Sequence, residues 1–179
     1  SVLYAKMYPS ELSLQVAKNA IEVFIDNQTE EGQHPCCYLD MKKANCSPEE
    51  VLCYSHIQEC VSFARLALEV CEMLNDITFA QKVYESAVSW DAWLRTYRMT
   101  RGLDLIEMFV GYDTGHDWSG RLEGLTCPVR YEKEGRLANA KELPPNETVA
   151  PVIAVDMNAN FYGTQKALAE IALLCGKDE

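Results

Sequence analysis

Residues 57–98, IQECVSFARLALEVCEMLNDITFAQKVYESAVSWDAWLRTYR, decide the fold class, because two long apolar stripes with helical spacing follow each other across a short break. The first stripe predicts a helix from about Pro48 to Asn75, and the second predicts a helix from Thr78, its cap, to about Arg98. A break this short predicts antiparallel neighbouring helices. The stripe residues are Ile57, Cys60, Ala64, Ala67, Leu68, Cys71, Leu74, Phe79, Val83, Ala87, Trp90, Trp93, Leu94 and Tyr97.

Two more helices are predicted on either side of this pair. Apolar residues at steps of three and four predict a helix from about Pro9 to Asn27, with Ser10 at its start. The same spacing predicts a final helix from about Asn158 to Cys175. The sequence therefore predicts an all-α fold.

Two long segments lack any helical period. Residues 28–48 are predicted to form a long loop, and residues 99–151 form a Gly-rich segment with short strands expected near Leu105–Val110. Loops of this length usually belong to an active face that a larger scaffold supports. Residues 1–179 are therefore expected to form a single partial domain, the N-terminal or central part of a larger catalytic domain.

The composition of the 179 residues excludes several classes of protein. With 16 Lys and Arg against 27 Asp and Glu, the net charge is -11, which argues against a nucleic-acid partner. No run of about 18 apolar residues is present, so no membrane partner is expected. The cysteines show no CxxC spacing, so a zinc site has no support from spacing. Neither a metal nor a cofactor is expected. Cys60 and Cys71 lie in helical patterns, where cysteine is a small apolar residue, so all eight cysteines are predicted to be reduced and the protein cytoplasmic.

The residues best suited to chemistry are concentrated at positions 111–121, GYDTGHDWSGR, where glycines let the backbone bend sharply. Tyr112 and Trp118 offer flat apolar faces of the kind that stack on sugars. Arg121 can hold a carboxylate or a sugar hydroxyl through several donors. A carboxyl group beside Trp118 is partly desolvated, which favours a proton donor.

Other interpretations of this cluster need neither sugar nor catalysis. A calcium loop requires alternating Asp or Asn closed by Glu, and that pattern is absent. His116 with Asp113 and Asp117 offers ligands for a transition metal, although the spacing matches no strong motif. A plain structural turn, with Asp113 as a cap and Arg121 paired to Asp117, is the simplest alternative.

The same cluster resembles a known family. Residues 115–121, GHDWSGR, resemble the G-W-D-x-S-x-R motif of trehalases, processing α-glucosidase I and bacterial mannosylglycerate hydrolases, with His116 in place of the motif's Trp. Flanking segments agree in order. Residues 17–28 resemble the family's A-x-x-x-I-x-x-F-x-x-Q helix, residues 32–35 the following D-G-x-I-P, residues 90–94 the helix before the motif, and residues 155–159 the V-D-L-N-A helix start.

This family consists of inverting glycoside hydrolases, so the resemblance implies helical hairpins from part of an (α/α)6 toroid with long Gly-rich loops on its active face. It also implies that Asp117 is the general acid of an enzyme acting on α-linked glucosides or mannosides. Inversion further needs a base that activates water, roughly 6.5–9.5 Å from the acid. The family's base lies C-terminal to the V-D-L-N-A segment, in a region expected to be missing here, so no base is assigned. The predicted substrate-binding residues are Tyr112, Asp113, His116, Trp118, Arg121, Gln58 and Asn158.

Weaker candidates and rival functions complete the prediction. His34 and Glu107 are further candidates for lining the same opening, whereas Gln58 and Asn158 also fit simple packing or helix capping. The rival functions are a non-catalytic carbohydrate-binding module and a helical interaction module. Because a partial toroid lacks neighbouring helices, an exposed apolar edge and self-association are expected.

Overall fold

The computed structural model of the chain describes residues 1–38, 52–54, 56–58, 60–108, 111–114 and 152–177. The α-helices within these ranges are α1 (Val2–Met7), α2 (Glu11–Asp26), α3 (Phe63–Leu74), α4 (Ile77–Tyr97) and α5 (Val155–Leu174). Two-residue strands β1 (Cys37–Tyr38) and β2 (Leu52–Cys53) pair antiparallel, with Cys37 opposite Cys53. The predicted all-α fold class is confirmed. No helix in the ranges given above is long and apolar enough to cross a membrane.

The chain divides into two compact units. The first comprises Ser1–His34, Val61–Asp91 and Asn160–Glu179, and the second comprises Pro35–Cys60 and Ala92–Ala159. In the first unit, α1 packs against α2 and α3, and α2 packs against α3. The assignment of residues 1–179 to a single partial domain stays a prediction.

Helix α2 confirms the helix predicted after Pro9. Its N-cap is Ser10, whose Oγ accepts a hydrogen bond from the Ser13 N–H at 3.1 Å, while the Ser13 Oγ accepts from the Ser10 N–H at 2.9 Å. This reciprocal pair satisfies two backbone donors that a helix start otherwise leaves open. The short helix α1, which precedes it, was not predicted from the sequence.

Helix α3 begins at Phe63, so the predicted start near Pro48 is wrong. Residues 52 and 53 instead form β2, and the Cys60 N–H donates to the Ile57 carbonyl in a turn. Ile57 and Cys60 are buried in that turn, so their apolar spacing continues the stripe without continuing the helix. A helix and a turn can both bury apolar side chains at this spacing, so the spacing alone does not distinguish them.

Helix α4 is capped by Asp76 and not by the predicted Thr78. The Asp76 Oδ1 accepts from the backbone N–H groups of Thr78 at 3.0 Å and Phe79 at 3.1 Å. These bonds, the Phe79 one above all, lower the pKa of the Asp76 carboxyl below its usual value. The preceding Asn75 ends α3 in the left-handed conformation, at φ 48°, which explains how the chain reverses in so few residues.

An aromatic cluster forms part of the core of the first unit. His34 is fully buried, stacks on Trp90 at 5.2 Å between ring centroids and meets Phe63 edge-on at 4.2 Å. Its Nε2 lies 2.9 Å from the Ser86 Oγ. Burial lowers the pKa of the imidazole to about 3. His34 is therefore a neutral core residue with no surface to offer a substrate.

The turn that directly precedes His34 requires a glycine at position 32. Gly32 has φ 101°, and a Cβ at this position would lie 2.4 Å from the Ser89 carbonyl oxygen. The Gln28 amide closes the turn by donating to the carbonyls of Gly32 at 2.8 Å and Ser86 at 3.0 Å. Only glycine combines this backbone conformation with so close an approach.

Candidate functional site

The second unit contains the described part of the predicted site. A short 3-10 helix, Gly111–Thr114, directly precedes the segment expected to carry the general acid. Asp117, His116, Trp118 and Arg121 lie outside the described residues, so their roles stay predictions. Tyr112 is the second residue of the 3-10 helix, and its side chain lies outside the description as well.

Asp113 is the best-defined residue of the predicted site. It is 1% exposed. Its Oδ2 accepts a hydrogen bond from the Arg98 Nη1 at 2.7 Å, and its Oδ1 accepts from the Ile57 backbone N–H at 3.0 Å. The carboxylate thus joins three separate segments of the chain, and its predicted role as a sugar ligand is not tested by these contacts.

Arg98 is the partner that sequence reasoning missed. It follows the last residue of α4 and is 2% exposed, with its guanidinium carbon 5.8 Å from the centre of the Trp93 ring. Removing one partner of such a buried ion pair leaves an uncompensated charge, at a cost of about 3–5 kcal/mol. No sequence signal marks Arg98 as a buried residue, because an arginine at a helix end is usually solvated.

Gln58 is exposed, and the structure brings its segment to the 3-10 helix. The preceding residue, Ile57, is the one whose N–H binds Asp113. The following turn is held by the Cys60 N–H, bonded to the Ile57 carbonyl, and by the Cys60 Sγ, 3.0 Å from the Pro35 carbonyl oxygen. Two predicted site segments, far apart in sequence, are therefore adjacent in the second unit.

Asn158 lies inside α5, which begins at Val155, three residues before the predicted start. Its Oδ1 accepts from the Ile106 N–H at 2.8 Å, and its Nδ2 donates to the Ile106 carbonyl at 2.9 Å. The amide therefore imitates one residue of a β-ladder, next to the bridge that pairs Met108 with Val152. This bridge is what the structure shows of the strands expected near Leu105–Val110. Binding of sugar by Asn158 stays a prediction, whereas its backbone contacts are observed.

Glu107 lies beside this segment and is 1% exposed. Its Oε2 accepts from the Thr100 N–H at 2.9 Å and from the Thr100 hydroxyl at 2.6 Å, while its Oε1 is 3.4 Å from the Arg101 Nε. The Glu107 N–H donates to the Arg98 carbonyl at 2.7 Å. The Glu107 carboxylate thus holds the loop after α4 against the chain that leads to the 3-10 helix.

Three described residues of this part of the chain are held by specific contacts. Ile106 is hydrogen-bonded to Asn158, Met108 forms the bridge with Val152, and Asp113 is paired with Arg98.

Comparison with known proteins identifies the family. Neither the curated proteins nor the solved structures give a significant match to the chain. The family model described as "Mannosylglycerate hydrolase MGH1-like glycoside hydrolase domain" matches residues 9–179, nearly the whole chain and all of the site described above. The chain therefore belongs to the mannosylglycerate hydrolase MGH1-like glycoside hydrolase domain family.

Proposed function

We propose that this chain is the part of an inverting glycoside hydrolase that carries the general acid, Asp117, and that the enzyme acts on α-linked glucosides or mannosides. The observation that carries the proposal is the family match over residues 9–179, which includes the G-x-D-x-S-x-R segment at 115–121. The buried anchor at Asp113, four residues before Asp117, supports it, because a general acid needs a fixed position.

The chemistry assigns a separate task to each group. The carboxylic acid of Asp117 donates its proton to the glycosidic oxygen as the bond from that oxygen to the anomeric carbon breaks. A carboxylate base takes a proton from water, whose oxygen attacks the anomeric carbon from the opposite face. Within 1–179 no residue is assigned as that base. Tyr112 and Trp118 would stack on the sugar ring, and Arg121, His116, Gln58 and Asn158 would bind its hydroxyl groups.

The test compares Asp117→Asn with the parent enzyme, using the full-length protein. On a glycoside with an alkyl leaving group, we expect the variant to lose about 10²–10⁴-fold in kcat, the usual contribution of general acid catalysis. On a glycosyl fluoride, whose fluoride leaving group departs without protonation, the loss in kcat should be small. Asp104→Asn is the matched control, because Asp104 is exposed in the loop after α4 and should leave both rates unchanged.

Two further measurements separate the parts of the proposal. Nuclear magnetic resonance of the first product formed from an α-glycoside should show the β-anomer, since inversion reverses the configuration. An initial α-anomer would exclude inversion. Sugar binding without any hydrolysis would favour a carbohydrate-binding module, and equal losses on both substrates would remove Asp117 from the role of acid.

A further inference from the structure

The Asp113 carboxylate combines features that a simple loop anchor does not need. Both of its oxygens bind groups from other segments, at 2.7 Å to the Arg98 Nη1 and at 3.0 Å to the Ile57 N–H. The Asp113 and Arg98 side chains are 0% and 2% exposed. A buried ion pair is weak evidence for stability, because the loss of hydration offsets most of the attraction between the charges. The arrangement does, however, fix direction and distance closely, because both groups are directional.

The position of this ion pair in the chain connects it with the predicted general acid. Asp113 is the third residue of the Gly111–Thr114 helix and lies four residues before Asp117. Its partner Arg98 is itself held at the end of α4, by its N–H bond to the Leu94 carbonyl at 2.8 Å. Only Thr114 separates Asp113 from Gly115, the first residue of the G-x-D-x-S-x-R segment.

We infer that Asp113 is a positioning residue for the reaction: together with Arg98 and the Ile57 amide, it fixes the chain entering residues 115–121 and so sets where Asp117 presents its proton. This inference rests on the proposed function. It adds a role for Asp113 to the predicted sugar contact and does not depend on that contact, because the two carboxylate oxygens are bonded to Arg98 and to the Ile57 N–H. Asp113 acts through Asp117 and does not touch the reacting atoms.

The test uses full-length enzyme carrying Asp113→Asn, a substitution that keeps the shape and removes the charge that binds Arg98. On the alkyl glycoside we expect kcat to fall roughly a hundredfold, the loss that follows from misplacing a reacting group by about 1 Å. KM should stay nearly constant, and turnover of the glycosyl fluoride should be largely spared. The loss thus follows the same leaving-group pattern as that of Asp117→Asn, which damage to the fold alone would not produce.

Variants at Arg98 keep the inference testable if Asp113→Asn fails to fold. Arg98→Lys retains a cation and should keep more alkyl-glycoside turnover than Arg98→Met, with both variants sparing the fluoride. Asp104→Asn again serves as the control, because Asp104 is an exposed carboxylate in the loop after α4.

The outcomes separate this inference from the proposed function. Selective loss in both Asp113→Asn and Asp117→Asn supports the inference. Selective loss in Asp117→Asn, combined with unchanged or equally reduced rates in Asp113→Asn, overturns it and leaves the proposed function standing. An Asp117→Asn enzyme without selective loss overturns the proposed function and, with it, the inference.

Discussion

The His34 imidazole is the residue whose protonation most directly opposes the fold of the first unit. Its pKa is about 3 in the folded protein, against 6.5 when the ring is solvated, because burial beside Phe63 and Trp90 disfavours the charged form. The unfolded chain therefore binds a proton more readily between these two values. The stability that this group contributes is fully present above about pH 6.5 and declines as the pH falls, by about 1.4 kcal/mol per pH unit, until about pH 3.

His34→Gln tests this dependence, because an amide can bind Ser86 in place of the imidazole but does not titrate. Urea unfolding of both proteins at about pH 7.5 and pH 5.5 should show that the parent loses roughly 1 kcal/mol more than the variant on acidification. The other two histidines are present in both proteins and cancel in the comparison. Identical pH dependence would mean that the imidazole titrates in the folded protein as it does in the unfolded chain, which would contradict its burial.

Residue identity predicted some single positions and could not predict others. Asp113 is a predicted site residue because it lies in the polar, Gly-rich cluster at 111–121, and the structure gives it buried, specific contacts. Its partner Arg98 is not among the predicted site residues, since the burial of that guanidinium depends on tertiary contacts that helical spacing does not report. His34 is predicted to line an opening, but the sequence of a loop does not show that aromatic rings will pack around its histidine.

Among the elements, the start of α2 provides the clearest stability prediction. Ser10→Ala removes the hydroxyl that accepts from the Ser13 N–H, and with it one half of the reciprocal cap. We expect the free energy of unfolding to fall by about 0.5–2 kcal/mol, the range for loss of such a cap. Chemical denaturation followed by circular dichroism measures the change.

Ser62→Ala is the matched control for this prediction. Ser62 stands at the N-cap of α3, and its side chain makes no capping hydrogen bond. Its removal should change the free energy of unfolding by less than about 0.5 kcal/mol, as for substitutions away from specific contacts. Equal effects of the two substitutions would show that helix propensity, and not the cap, is responsible.

Helices were predictable as elements more reliably than their ends were. Apolar spacing located α2, α4 and α5, because a helix that buries one face must repeat it at the helical period. The start of α3 differs from the prediction because of the buried turn at Ile57. The start of α4 differs because Asp76, and not Thr78, accepts hydrogen bonds from the first backbone N–H groups of the helix, those of Thr78 and Phe79. Ends depend on which group satisfies the open backbone donors, and spacing does not report this.

For the whole molecule, the sequence located the family through a short motif and the order of its flanking segments. The match over residues 9–179 confirms that resemblance.

The eight cysteines give a less complete result. Cys36, Cys60, Cys71 and Cys175 are present as thiols, and burial raises the pKa of Cys71 to about 12, which makes its thiol unreactive.

Self-association is the remaining prediction at this scale, and helices α1 and α2 show where to test it. Apolar side chains on these two helices are exposed, at positions four apart on α1 and four and seven apart on α2. They are Leu3 (69%), Met7 (62%), Leu12 (75%), Val16 (47%) and Val23 (37%), joined by Tyr4 and Tyr8. Exposed apolar side chains that recur along a helix face commonly mark contacts with other molecules when they form a continuous patch. We therefore expect copies of the 179-residue chain to associate through this face.

Sedimentation velocity over a range of protein concentrations measures that association, and Leu12→Glu should shift it towards monomer. Leu103→Glu is the matched control, since Leu103 is 57% exposed but lies in the loop after α4, and the substitution adds the same charge. Raising the salt concentration should strengthen association of the parent chain, because screening reduces the repulsion between copies that each carry a net charge of -11. A parent chain that sediments as a monomer at every concentration and salt level would contradict the prediction, and equal effects of the two glutamates would attribute the change to charge and not to this face.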